Sequence, residues 1–172
     1  MLFVIALGLL VRRGWAVVTA ATAFTIAHSI TLVATTLGYA GLPGRPVEAL
    51  IALSIVFLAV EGAVVLRDPD CMTFTRRAPW LVAFAFGLIH DFGFAGALTE
   101  IGLPRGAIAA ALLAFNLLGV EAGQLLVVGV TMAVFAMLTR AAANAEGPAL
   151  RLATYAIGAA GSYWLIERVA GF

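Results

Sequence analysis

Several polar and charged residues stand out because they lie inside long apolar runs. They comprise two histidines, three carboxylates and two carboxamides: His28, Glu61, His90, Asp91, Asn116, Glu121 and Gln124. An ionisable side chain inside a bilayer costs at least about 2.5–3.5 kcal/mol on insertion scales, so such groups usually face a protein interior or a wet cavity. A set of this kind therefore predicts a polar site that is shielded from lipid.

The chemistry of these side chains suits a divalent transition-metal ion. Imidazole nitrogens bind nickel, zinc and copper, and carboxylates compensate the charge of the cation. The predicted metal ligands are His28, His90, Asp91, Glu121 and Glu61. Residues predicted to line the path or to hydrogen-bond the ligands are Asn116, Gln124, Thr25 and Ser29. The single cysteine and the absence of clustered methionines argue against a soft copper(I) site.

The histidines and two of the glutamates recur in an internal repeat. From His28 to Glu61 is 33 residues, and from His90 to Glu121 is 31 residues. Each copy is predicted to be a helical hairpin, with histidine on the outgoing helix and glutamate on the returning one. Two helices separate the copies, so the hairpins are predicted to run parallel and to bring both pairs to a similar depth. The matching segments are 23–28 with 85–90, 41–43 with 102–104, and 60–61 with 120–121.

Composition indicates the environment in which these groups lie. Of the 172 residues, 63% are hydrophobic and 11% are charged, whereas soluble domains are about 45–50% apolar and about 25% charged. A soluble domain of this length cannot cover so much apolar surface. The sequence predicts an all-α, polytopic membrane bundle forming one domain, 1–172. Its net charge of +1 and its lack of lysine give no basis for nucleic-acid binding.

The apolar runs predict six helices, of which the first is incomplete. Residues 1–11 would cover only about 17 Å as a helix, too short for a hydrocarbon core of about 30 Å. We expect this run to be the second half of a longer helix that starts upstream of Met1. The first hairpin repeat covers about 15–66, the second about 80–138, and the sixth helix 149–169. The five complete runs are 15–38, 47–66, 80–99, 105–138 and 149–169.

Arginine positions predict the orientation, because cytoplasmic loops of membrane proteins carry an excess of positive charge. One set of seven arginines is predicted to face the same side of the membrane: Arg12, Arg13, Arg67, Arg76, Arg77, Arg140 and Arg151. A second set of three arginines is predicted to face the opposite side: Arg45, Arg105 and Arg168. We therefore expect a multi-pass protein of the cell inner membrane. Loops 12–14, 67–79 and 139–148 are then cytoplasmic, and the C-terminus lies outside.

These motifs resemble those of the HupE/UreJ membrane proteins over essentially the whole chain. The resemblance implies a six-helix bundle that acts as a permease for nickel, with cobalt or zinc as alternatives, or as an accessory protein of hydrogenase and urease maturation. It implies no organic cofactor. The implied partners are the bilayer, the metal ion, and those maturation proteins or another membrane subunit. The segments that carry the resemblance are 24–29, 47–61, 86–90, 92–95, 119–121 and 163–168.

Two positions depart from the family pattern. The family's first helix carries a His…Asp-His motif just before the point where this chain begins, which agrees with a first helix that starts upstream. The family also has glycine after the histidine of the fourth helix, where this chain has Asp91. The substitution adds a carboxylate beside His90.

Two other functions fit the same residues. His28 and His90 could be axial ligands of one haem, as in membrane b-type cytochromes. Alternatively, the polar groups could be interhelical hydrogen-bonding struts in a non-transporting scaffold or assembly subunit of a larger complex. The Thr-rich stretch 19–36 fits packing between helices better than a hydroxyl-lined path. The sequence shows no nucleophile–base constellation, so an enzyme is not expected.

Overall fold

The computed structural model describes residues 1–11, 14–36, 39, 44–100, 116–141 and 146–171. Within these ranges the chain forms seven α-helices and one π-helical segment, and every element is helical. The helices are α1 (Leu2–Val11), α2 (Gly14–Thr36), α3 (Gly44–Arg67), α4 (Phe74–Arg77), α5 (Pro79–Glu100), α6 (Glu121–Ala141) and α7 (Glu146–Ala170). The π-helical segment is Asn116–Val120, directly before α6.

Three of the helices begin with a proline in their first turn. Pro46 is the third residue of α3, Pro79 is the first residue of α5, and Pro148 is the third residue of α7. The first four N–H groups of a helix have no partner within the helix, so proline costs no hydrogen bond there. Each of these prolines directly precedes an apolar run of the sequence and lies in the first turn of the helix that contains this run.

The chain contains helices long and apolar enough to cross a membrane. Among the described residues these candidate spans are Gly14–Thr35, Gly44–Arg67 and Leu118–Leu138, and Leu2–Val11 and Pro79–His90 are shorter apolar helices. The helical fold and the membrane location agree with the sequence analysis. The complete six-helix bundle and the parallel repeat remain predictions, as does a membrane span in α7, which has 25 residues.

Helices α3 and α7 pack against each other in antiparallel orientation. An added Cβ at Gly62 would meet Thr154, and one at Gly161 would meet Ile55, so positions rise along one helix as they fall along the other. At one end of this pair Arg45 donates to the carbonyl of Gly171. Described arginines of the two predicted sets therefore lie at opposite ends of the bundle.

Aromatic and aliphatic side chains form the core between α1, α2, α3 and α5. Phe3 of α1 is 2% exposed, and its ring lies 5.6 Å from the rings of both Phe24 and Phe86. Phe57 of α3 lies 5.8 Å from Phe86. By contrast, most of α6 is exposed, including Leu126 and other large apolar side chains. A helix that is apolar on its outer face fits a lipid environment.

Candidate functional site

The centre of the candidate site is the close contact between α2 and α5. A Cβ added at Gly87 of α5 would lie 2.7 Å from the carbonyl oxygen of Phe24 and 3.0 Å from the Cβ of Ala27. Only glycine leaves room for this backbone approach. His28 follows Phe24 by one turn in α2, and His90 follows Gly87 by one turn in α5. The contact therefore carries both histidines into the same region.

Both imidazoles pack against the ring of Phe24. The His28 ring is stacked at a centroid distance of 6.0 Å, and the His90 ring meets the same phenylalanine edge-on at 5.3 Å. His90 also lies 5.2 Å from the ring of Phe3. His28 is buried and His90 is half-buried. The two predicted ligands thus share one aromatic neighbour inside the protein and are not on separate outer faces.

Ser54 of α3 contacts His90 and fixes how its ring carries a proton. The Ser54 hydroxyl donates to the carbonyl of Ile51 at 2.6 Å and lies 3.1 Å from His90 Nε2. The hydroxyl has one proton, so when it donates to Ile51 its oxygen can only accept from His90, and Nε2 then carries a proton. In the neutral ring with its proton on Nε2, Nδ1 carries the lone pair and is the nitrogen able to bind a cation.

Glu121 lies at the first position of α6, directly after the π-helical segment. Its Oε1 accepts a hydrogen bond of 2.8 Å from the hydroxyl of Thr22 in α2. This contact joins α6 to the same helix that carries His28. Thr22 precedes His28 by six residues, or roughly 9 Å along the helix axis at 1.5 Å per residue.

Gln124 lies one turn further along α6 and is 2% exposed. Its carbonyl oxygen Oε1 is buried and has no hydrogen-bond partner among the described residues. Leaving such an acceptor unsatisfied costs about 1–3 kcal/mol, so the position favours a water molecule or a cation near this oxygen. Val128, one turn further on, packs against Gly8 of α1, so the Glu121–Val128 face of α6 is turned toward the bundle.

Glu61 has a different set of partners from Glu121. Its Oε1 accepts from the backbone N–H of Phe74 at 2.9 Å, and its Oε2 accepts from that of Thr75 at 3.0 Å. Thr73 caps the same short helix, accepting from the N–H of Arg76. The buried Glu61 carboxylate therefore binds the amino end of α4, where the partial positive charge of a helix favours an anion.

The smaller hydroxyls predicted to line the path are buried in α2. Thr25 donates to the carbonyl of Ala21 at 3.1 Å, and Ser29 donates to that of Thr25 at 2.8 Å. Thr31, on the same helix, donates across to the carbonyl of Leu88 at 3.0 Å. This cross-helix bond agrees with the prediction that hydroxyls of the Thr-rich stretch help to hold helices together.

Two of the predicted residues have side chains outside the described part of the structure. Asp91 follows His90 in α5, and Asn116 is the first residue of the π-helical segment. Within the described side chains, no group of three or more His, Cys, Asp or Glu residues is close enough to hold a metal ion. The predicted five-ligand set stays a prediction. Among its members, the described contacts bring together His28 and His90 through Phe24, whereas Glu121 bonds to Thr22, which is not one of the predicted ligands.

Two hydroxyl side chains that contact predicted ligands, those of Ser54 and Thr22, were not predicted from the sequence. Ser54 bonds to His90, and Thr22 bonds to Glu121. Thr22 lies within the Thr-rich stretch, which was interpreted as packing, and Ser54 is a single hydroxyl in the apolar run of α3. The signal that could have identified Ser54 is a single hydroxyl buried within an otherwise apolar run. Its partner lies 36 residues away, so spacing alone could not identify it.

The helices and the buried polar groups between them define a helical membrane protein. The family model described as HupE / UreJ protein matches residues 1–168, so the chain belongs to the HupE/UreJ family. The resemblance drawn from the sequence motifs is thereby confirmed. Membrane proteins of this family are transporters associated with nickel uptake for hydrogenase and urease. No curated protein and no solved structure matches the chain.

Proposed function

We propose that this protein carries a divalent transition-metal ion, nickel foremost, across the membrane along a path that includes His28 and His90. The observation that carries the proposal is the packing of both imidazoles against Phe24 at the close α2–α5 contact. Imidazole nitrogen is a preferred ligand of nickel, and cobalt and zinc bind it as well. Membership of a family associated with nickel uptake supports the same substrate class.

The proposed path of the ion passes two groups of polar side chains along α2. In the first group, Ser54 is proposed to accept a hydrogen bond from His90 Nε2–H, which leaves the lone pair on Nδ1 for the ion, and His28 lies on the other side of the shared contact with Phe24. In the second group, Glu121 supplies an anionic oxygen and the buried Gln124 side chain supplies a neutral one. We propose that Asp91 adds a carboxylate beside His90 and that Asn116 lines the path. A spacing of roughly 9 Å along the helix suits transfer in steps.

Glu61 is assigned a positioning role in this proposal. Both of its oxygens accept backbone hydrogen bonds from α4, so ligation of a cation would first break these contacts. The repeats 15–66 and 80–138 are proposed to move as two halves whose alternating access exposes the ion to either side. The end that carries α4 is proposed to face the cytoplasm, in line with its arginines.

The proposal is tested by nickel accumulation in cells that express the full chain. His28→Ala and His90→Ala each remove an imidazole and are expected to abolish accumulation of nickel and cobalt. Amount and folding of each variant are checked by membrane yield and by size-exclusion chromatography in detergent. A folded double variant that accumulates nickel at the parent rate would overturn the proposal.

Ser54→Ala tests the inferred proton position on His90. Removing a group that orients a metal-bound imidazole typically costs roughly 10–100-fold in metal affinity. The matched control is Thr131→Val on α6, whose hydroxyl donates only to a carbonyl of its own helix among its described contacts. We expect the apparent affinity for nickel to fall in Ser54→Ala and to stay at the parent value in Thr131→Val. Equal affinities would refute the tautomer argument.

The scaffold function is supported by one observation, the use of Glu61 to hold α4. If the polar groups serve only as struts, the histidine variants should lose stability in detergent while nickel accumulation per folded molecule stays unchanged. The haem alternative is decided by the absorption spectrum of the purified protein, where a Soret band that disappears in His28→Ala would favour it.

A further inference from the structure

A cavity of about 400 Å³ lies between α1, α3 and α7, at the end of the bundle that carries α4. It is separate from the histidines, and none of the predicted metal ligands lines it. Its volume falls in the range of small-molecule sites in proteins, about 300–1,000 Å³. From Leu58 to Leu66, both in its wall, α3 advances roughly 12 Å at 1.5 Å per residue.

The wall of this cavity changes from apolar to charged along its length. The inner part is apolar, with Ala6 of α1, Leu58 of α3 and Ile157 of α7. The outer part contains two guanidinium groups and one carboxylate: Arg76, Arg151 and Glu146. The charged end lies where α3 ends and α7 begins. An amphipathic ligand with an anionic head and an apolar tail complements such a wall.

The arginine of the α4 segment is held in place at the cavity. Arg76 Nη1 donates to the carbonyl of Pro69 at 2.7 Å and to that of Cys71 at 2.9 Å. The buried Glu61 carboxylate in turn binds the backbone of α4. A guanidinium fixed by the backbone loses little entropy when it binds a phosphate, because its planar fork is already oriented.

We propose that this cavity binds an anionic phospholipid, with the phosphate beside Arg76 and Arg151 and an acyl chain along the apolar inner part. Basic pockets between membrane helices on the cytoplasmic side recognise anionic lipid head groups. The positive balance of the charged end also disfavours a divalent cation, so this cavity is not a branch of the metal path. A soluble anion without a tail would leave the apolar wall unfilled.

The test uses the full chain purified in detergent and native mass spectrometry with added lipid. The probes are phosphatidylglycerol, phosphatidylcholine with the same acyl chains, and glycerol phosphate as a head group without a tail. We expect bound phosphatidylglycerol to exceed phosphatidylcholine, with glycerol phosphate bound weakly. Equal binding of the two lipids would overturn the proposal, as would glycerol phosphate that binds as well as the intact lipid.

Substitutions locate the binding within the molecule. Arg151→Gln and Arg76→Gln should each lower phosphatidylglycerol binding roughly fivefold, the effect of one basic residue near an anionic lipid surface. The matched control is Arg77→Gln, the exposed neighbour that does not line the cavity. If Arg76→Gln fails to fold, Arg151→Gln decides, because Arg151 is an exposed residue of α7. An equal loss of phosphatidylglycerol binding in Arg151→Gln and Arg77→Gln would show that the lipid binds outside the cavity.

A third variant fills space in the cavity without changing its charge. Gly147 lines the cavity, and a Cβ added there meets nothing within 4 Å, so the first carbon of the Gly147→Leu side chain has room and the rest of the side chain takes up space at the charged end. We expect it to weaken phosphatidylglycerol binding while thermal stability in detergent is kept. Unchanged binding in both Gly147→Leu and Arg151→Gln would remove the cavity as the site.

Discussion

Gly87→Ala is the substitution that tests the α2–α5 contact most directly. The added methyl carbon would lie 2.7 Å from the carbonyl oxygen of Phe24, 3.1 Å from its Cα and 3.0 Å from the Cβ of Ala27. Carbon atoms in favourable contact are about 3.5–4.0 Å apart. Two of these three atoms belong to the backbone of Phe24, and the third is a Cβ, which has no rotatable bond that could move it away. The helices must therefore separate by roughly 0.5–1 Å.

The size of the effect follows from two opposing contributions. Overpacking of a close contact typically costs about 1–3 kcal/mol, whereas alanine is favoured over glycine within a helix by about 1 kcal/mol. Gly129→Ala of α6 is the matched control, because a Cβ there meets nothing within 4 Å and only the helix preference acts. We therefore expect Gly87→Ala to be less stable than Gly129→Ala by about 1–3 kcal/mol.

The assay is reversible unfolding of both variants in mixed micelles, followed by helix content, together with nickel accumulation in cells. Separation of α2 from α5 would also draw His90 away from His28, so accumulation per folded molecule is expected to fall in Gly87→Ala and to stay at the parent rate in Gly129→Ala. If the two variants unfold at the same denaturant concentration, the described helix contact does not exist. Altered stability with unchanged accumulation would refute only the proposed role of the histidines.

Two further predictions concern the ends of the bundle. Glu61→Ala should destabilise the protein by about 2–3 kcal/mol and Glu61→Gln by about 1 kcal/mol, because the carboxylate accepts charge-assisted hydrogen bonds from Phe74 and Thr75. Limited proteolysis detects the loss of stability as faster cleavage within segment 68–78. Equal cleavage rates of the parent and Glu61→Ala would contradict the prediction. The ion pair between Arg168 Nε and Glu48 Oε2 is 3.0 Å long, and each side chain is 37% exposed. Arg168→Gln should therefore cost no more than about 1 kcal/mol in thermal unfolding, and a larger loss would show that this pair is shielded from solvent.

The helices could be predicted from the sequence because their cause is local. A run of about 20 apolar residues must satisfy its own backbone in lipid, and a helix does so within the run. Prolines and glycines between the runs then set the starts of α3, α5 and α7. The short helix α4 was not predicted, since four residues carry no periodicity, and its start is fixed by the distant carboxylate of Glu61.

The residue types of the candidate site were predictable, but their pairing was not. Apolar surroundings made His28 and His90 conspicuous, and the repeat suggested that they meet. The same repeat suggested equal roles for Glu61 and Glu121, yet the first binds the backbone of α4 and the second binds Thr22. Equivalent sequence positions acquired different partners because α4 packs beside only one of them.

The π-helical segment Asn116–Val120 also affects the rotational orientation of α6 about its own axis. A π-turn holds one residue more than an α-turn, so it offsets the angular register of the chain that follows by about 100°. Deletion of a single residue within this segment would change the angular position of Glu121 relative to Asn116 by about 100°. Glu121 would then move away from Thr22, and apolar side chains of α6 that are now exposed, such as Leu126, would turn toward the other helices. A count of 3.6 residues per turn that starts at Asn116 would therefore give the wrong angular positions for the side chains of α6.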